Sequence, residues 1–174
     1  MKPLLVLWGV PGAGKSCYAD WLVRERGFMR VDTDSMGAGS NPVEWAWRGV
    51  IDGQTTPGIF LNVVARQPQP VVVEYGVFVQ PGSVGLLTAL CDAGAQAWWF
   101  DGDREAARQS WRQANVGLGR DFPEDLWDNV VGVINANRHL LAALNQLCTV
   151  MPGPRHLSPE TIFATMFGRP DRSD

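Results

Sequence analysis

Residues 9–16 read G-V-P-G-A-G-K-S, and this turn limits the folds open to the chain more than any other feature. It satisfies the pattern G-x-x-x-x-G-K-[ST] at every fixed position. An apolar run, L-L-V-L-W at 4–8, precedes it, and a helical pattern over 16–26 follows. Glycines at Gly9, Gly12 and Gly14 let the backbone curl until its N–H groups converge on phosphate oxygens. The helix that follows adds the positive end of its dipole. Lys15 is one of two lysines in a chain with thirteen arginines. An ammonium suits a crowded anionic cavity as a point charge, whereas a flat guanidinium is too broad for it. Lys15 is therefore expected on the β- and γ-phosphates of a nucleotide, in an exposed loop, with the Ser16 hydroxyl on Mg²⁺. Ala13 and Cys17 complete the stretch expected around the phosphates.

The rest of the chain alternates strand and helix signals. Short apolar runs at 4–8, 28–31, 70–74, 95–100 and 147–151 predict five strands. Helical patterns fall at 16–26, 42–51, 57–66, 83–92, 104–113, 123–146 with a break near Gly132, and 158–167. Ser158 is the expected N-cap of the last helix, with Pro159 in its first turn. Such alternation implies an α/β fold with a parallel sheet covered on both faces. The ligand site is then expected at the carboxyl ends of the strands. Residues 1–168 read as one domain and 169–174 as a polar tail.

The loop V-P-G-A-G-K-S and the D-T-D after the second strand signal resemble the P-loop small-molecule kinases. That group includes shikimate and gluconate kinases, chloramphenicol phosphotransferase and nucleoside monophosphate kinases. The resemblance implies a three-layer fold with a five-stranded parallel sheet in the order 2-3-1-4-5. It also implies an ATP- and Mg²⁺-dependent kinase that phosphorylates a hydroxyl of a small molecule.

Three acids are candidates for the chemistry. Asp32 and Asp34 stand at the end of the second strand beside the phosphate turn. In kinases of this type such acids orient the acceptor hydroxyl, act as base or support Mg²⁺. Glu74 follows V-V-V at the end of a buried strand, where a carboxylate needs a partner. Mg²⁺ or a substrate hydroxyl would serve.

Arg104, Arg108 and Arg112 share one helix face by their spacing. Asp101 and Glu105 are expected partners of the first two, and Arg112 has no obvious partner on that face. The resemblance makes 112–125 a lid, with 115–121 its mobile part. Arg112 and Arg120 would close it over the phosphates. Arg155, beside His156, is expected near the adenine.

The segment 40–67 stands where such kinases commonly place the acceptor site. It supplies Trp45 and Trp47, and Tyr75 adds aromatic surface after Glu74. An aromatic pocket suits a nucleoside, an antibiotic or another ringed compound better than a sugar acid. The sequence leaves the acceptor unidentified.

A net charge of −3 argues against a nucleic-acid surface. No apolar run reaches the roughly 20 residues of a membrane span. Three widely spaced cysteines suggest neither a disulfide framework nor a zinc site and fit a reducing cytoplasm. Competing readings are a nucleotide hydrolase, a nucleotide-binding module without catalysis, and a polynucleotide-kinase-like enzyme.

Overall fold

The computed structural model describes residues 3–34, 41–76, 79, 81–151 and 155–168. Its sheet runs β2 (Met29–Asp32), β3 (Val71–Glu74), β1 (Leu4–Gly9), β4 (Gln96–Gly102), β5 (Asn145–Met151), β6 (Arg155–His156). The first five strands are parallel, in the expected order 2-3-1-4-5. The short β6 adds an antiparallel edge to β5.

The burial pattern explains why β1 and β3 lie inside the sheet. β3 is buried along its whole length, and Leu4 to Trp8 of β1 are buried too. Strands of this kind need neighbours on both edges and layers on both faces. The helices α1 (Lys15–Arg26), α2 (Pro42–Ile51), α3 (Pro57–Ala65), α4 (Pro81–Asp92), α5 (Arg104–Gly117), α6 (Glu124–Ala136) and α7 (Pro159–Phe167) supply those layers. Their ends follow local chemistry. Gly27 closes α1 in the left-handed conformation, its N–H bonded to the Leu22 carbonyl. Asn41 caps α2 by accepting from the amides of Val43 and Glu44. Ser158 caps α7 by accepting from the Thr161 amide, with Pro159 first in the helix as expected.

Two glycines do not break helices as the sequence suggested. The helix expected to stop at 113 runs on to Gly117, so the loop after α5 is 118–123 rather than 115–121. Its hydrogen-bonding persists through Leu118, whose N–H reaches the Ala114 carbonyl. Gly119, with φ 68°, is the residue that ends it. Gly132 lies inside a continuous α6. The break comes instead at Asn137, whose side chain and backbone N–H both bond the Val133 carbonyl. A 3-10 helix, Arg138–Ala143, then leads into β5.

One buried contact ties the sheet to the glycine turn. Thr149 of β5 is fully buried, and its hydroxyl lies 2.8 Å from the Ala13 carbonyl and 3.2 Å from that of Asp101. The shorter bond satisfies a backbone oxygen that water does not reach. Thr149→Val is expected to cost about 1–3 kcal/mol, the price of a buried carbonyl without its donor. Urea denaturation at constant m-value measures it.

Candidate active site

The glycine turn between β1 and α1 lies at the carboxyl end of the parallel strands. Gly14 is the N-cap of α1 with φ 87°, a left-handed conformation that a side chain would strain. Gly12 lies against α5 so closely that an added Cβ would stand 2.0 Å from the Ala107 carbonyl oxygen. The Gly12 carbonyl accepts from His156 Nε2 at 2.9 Å, which requires the ring proton on that nitrogen.

Lys15 was expected in an exposed loop and is buried instead. The turn wraps around its own lysine: Nζ donates to the carbonyls of Gly9 at 3.1 Å and Val10 at 3.0 Å. Burial lowers its pKa from the ordinary lysine range, and the charges of Glu74 and Asp34 partly offset this.

Glu74, at the end of β3, is buried and held at both oxygens. Oε1 accepts from the Ser16 hydroxyl at 2.5 Å and Oε2 from Arg30 at 2.6 Å. Arg30 also reaches Asp32 at 3.1 Å and Asp20 at 2.6 Å. Sequence reasoning passed over Arg30, although a signal was present. Arg30 and Asp32 are two apart on a strand, so they share a face, and the register sets Asp32 beside Glu74.

The two aspartates of D-T-D diverge. Asp32 faces Arg30, and its other oxygen accepts from the Asp34 amide at 3.0 Å. Asp34 lines the cavity over the glycine turn. Its carboxylate occupies the space of a side chain at Gly76, where an added Cβ would lie 2.3 Å from Oδ1. Burial, then the charges of Asp32 and Glu74, raise the Asp34 pKa, while Lys15 opposes the shift.

Two cavities meet at the turn. The first, about 440 Å³, joins Lys15, Ser16, Asp34 and Glu74 to an aromatic wall of Trp8, Trp99 and Trp111. The second, about 340 Å³, lies on the other side of the turn, among Gly14, Cys17, Ala114, His156 and Ile162. Trp111 borders both. The aromatics expected at an acceptor lie elsewhere. Trp47 is fully buried, donates to the Thr33 hydroxyl and packs on Phe60 and Tyr75. Trp45 is 71% exposed on α2. Tyr75 is buried against Trp8, and burial pushes its phenol up to about 12. None of the three lines either cavity. The backbone of Arg155 is in β6, while its side chain is outside the described residues.

The arginine pairings differ from expectation as well. Arg104 pairs with Asp101 at 3.0 Å, as the sequence suggested. Arg108 and Arg112 both bind Glu124 at the start of α6, and Glu105 accepts from Gln109 instead. The Arg108 hydrogen bond, followed by that of Arg112, holds the Glu124 carboxyl below its usual range. The Arg112 guanidinium also lies 5.0 Å from the centre of the Phe122 ring. Arg120 is exposed in the loop 118–123.

No known family model matches the chain, and no curated protein matches it in sequence. Solved structures do match. A shikimate kinase from Acinetobacter baumannii, in complex with shikimate, is 17% identical with a TM-score of 0.54, over 95% of this chain and 93% of that one. A gluconokinase from Sinorhizobium meliloti 1021 is 16% identical with a TM-score of 0.51, over 84% and 81%. The YorR protein from Bacillus subtilis, in complex with phosphorylated GDP, is 14% identical with a TM-score of 0.52, over 94% and 92%. The fold is that of the P-loop small-molecule kinases. At these identities the likeness is one of fold, and chemistry has to be argued from the site.

The oxygens at the turn fit a hard cation. The Ser16 hydroxyl and a carboxylate oxygen of Glu74 are adjacent, and Mg²⁺ on a nucleotide takes its other ligands from phosphate and water. Removing Arg30 would leave Glu74 buried with one partner. Arg30→Met is expected to destabilise the fold by about 1–3 kcal/mol, below the cost of breaking a fully buried pair because Asp20 and Arg30 reach solvent. Adding Glu74→Gln should cost less than the sum of the two changes, and equality with the sum in a double-mutant cycle would disprove the coupling.

Proposed function

We propose that this chain is a kinase that transfers the γ-phosphoryl group of Mg-ATP to a hydroxyl of a small molecule. The observation that carries the reading is the first cavity. It brings the glycine turn, Lys15, the Ser16–Glu74 pair and the Asp34 carboxylate to one point.

Each group has a role that its geometry suits. The amides of the turn and the N-terminus of α1 bind phosphate oxygens. Lys15 exchanges its two carbonyl partners for the β- and γ-phosphates, whose negative charge offsets the burial that lowers its pKa. Ser16, with Glu74 directly or through water, would hold Mg²⁺, which when bound would supply positive charge to the phosphates. Asp34 accepts a hydrogen bond from the acceptor hydroxyl and takes its proton as the acceptor oxygen bonds to the γ-phosphorus. The bond from that phosphorus to the β–γ bridging oxygen breaks, and ADP leaves. Asp32, tied to Arg30 and to the Asp34 amide, positions Asp34 rather than reacting.

The second cavity suits the nucleoside, with Cys17 and His156 on its wall and Arg155 in the adjoining strand. Residues 112–125 act as lid. For Arg112 to reach a phosphate it must exchange Glu124 for phosphate oxygens. Arg120 approaches only if the loop 118–123 folds inward.

Lys15→Met keeps the aliphatic stem in its buried slot and removes the charge. It is expected to abolish transfer in a folded protein, and unchanged turnover sinks the reading. Asp34→Asn is expected to lower kcat by about 100-fold or more, the usual scale of a general base, with ATP affinity nearly unchanged. The base works deprotonated, so activity falls as pH drops through the Asp34 pKa. Because that pKa is raised, the acidic limb of kcat/KM should lie above the ordinary carboxylate range. A limb that Asp34→Asn leaves in place would assign it to another group.

A further inference from the structure

We infer that the acceptor is a ring-bearing alcohol without an anionic group, seated against Trp111 and the α6 residues Leu126 and Val130. This rests on the kinase reading of the same cavity.

The lining has a polar and an apolar set. Lys15, Ser16, Asp34 and Glu74 form the first. Leu126, Val130 and Ile134 join the tryptophans in the second. These three follow each other at i, i+4 and i+8, so they form one stripe on α6. Leu126 is 41% exposed and Val130 is half-buried, so part of this stripe faces water in a position that a ligand would cover. The Trp99 N–H is engaged by Asp101 at 3.0 Å, so it is not available to bind a ligand. Trp8 stands edge-on to Trp99 at 5.1 Å, and Trp111 is braced by Phe122 and Trp127. Trp8 and Trp99 are each only 1% exposed, so Trp111, half-buried and held rigid by its two ring neighbours, is the ring on which a ligand ring can pack. The volume of about 440 Å³ is that of a pocket for a small organic molecule.

Charge excludes an acid. Lys15 is the one cation among the described lining residues, and the phosphates claim it, as they claim Arg112 and Arg120 in the closed lid proposed above. Asp34 and Glu74 are both negative groups, and only Glu74 has an arginine. A carboxylate or phosphate on the acceptor would be buried without a partner, near Asp34 and near the phosphates of ATP. An uncharged body carries no such penalty, and an amine gains from the acids and the ring faces.

A matched set of probes tests this on the full chain: para-methylbenzyl alcohol, para-(aminomethyl)benzyl alcohol and para-(hydroxymethyl)benzoate. They share the ring and the hydroxyl and differ in one charge. Binding is followed by ligand-observed NMR with and without ATP, alongside calorimetry of ATP alone. The neutral and amine probes are expected to bind at least about tenfold more tightly than the carboxylate. Val130→Arg should close that gap. Equal or tighter binding of the carboxylate to the wild-type chain overturns the proposal. So does a chain that binds ATP but none of the three probes. A chain that keeps the charge order without binding ATP supports the cavity assignment and fails the kinase reading, so the two failures are distinguishable.

Discussion

A buried carboxylate is tolerable only with partners, and the site is organised around the one at Glu74. Its own strand is apolar and enclosed, so its partners have to come from neighbouring elements. Arg30 comes from the next strand and Ser16 from the first turn of α1. Two oxygens of one side chain thereby fix β2, β3 and α1 relative to one another. Arg30 extends the network to Asp32, and Asp32 holds the turn that presents Asp34. The hydroxyl suited to Mg²⁺ and the carboxylate suited to the acceptor are thus positioned by one network. A shift in Arg30 would reach both.

The glycines set the other constraint. A phosphate turn has to be rigid before the phosphate arrives, because donors that must first be ordered lose part of the gain. Here the turn is pressed on α5 at Gly12, bonded by His156 at the Gly12 carbonyl and by Thr149 at the Ala13 carbonyl. These contacts take the outward-facing carbonyls out of play. Lys15 caps two more from inside the turn. The ammonium is thus desolvated in advance and held by neutral dipoles. Phosphate offers it full negative charge, so the exchange favours binding without a large rearrangement.

The alternation of apolar runs with helical patterns made the parallel sheet legible, because it depends on local residue types, while the strand order came only with the family resemblance carried by the motif at residues 9–16 and the D-T-D. Sequence reasoning was weaker where a residue's role depends on what lies opposite it. Arg30 is an ordinary strand arginine until the register sets Glu74 and Asp32 beside it. Arg112 lacks a partner on its own helix and finds Glu124 on another. Trp47 and Trp111 are alike in sequence, yet one is enclosed by Phe60, Tyr75 and Thr33 while the other borders both cavities. Gly117 and Gly132 show the same limit. A glycine lowers helix propensity by about 1 kcal/mol, and continuing hydrogen bonds outweigh it until a better terminator appears.

The aromatic residues connect these levels. Trp8, on the central strand, contacts Trp99 on one side and Tyr75 on the other, and Tyr75 leads through Trp47 to Phe60 on α3. Large rings fill the space between the sheet and α2–α3, and the same set of contacts ends at the cavity wall. The core and the cavity proposed for the acceptor are therefore continuous. A change that repacks Trp47 would move Tyr75 and then Trp8, without touching any group at the phosphate end. Interiors packed to native density transmit such displacements instead of absorbing them. At the acceptor site proposed here, selectivity would thereby be sensitive to residues in α2 and α3 that do not line the cavity.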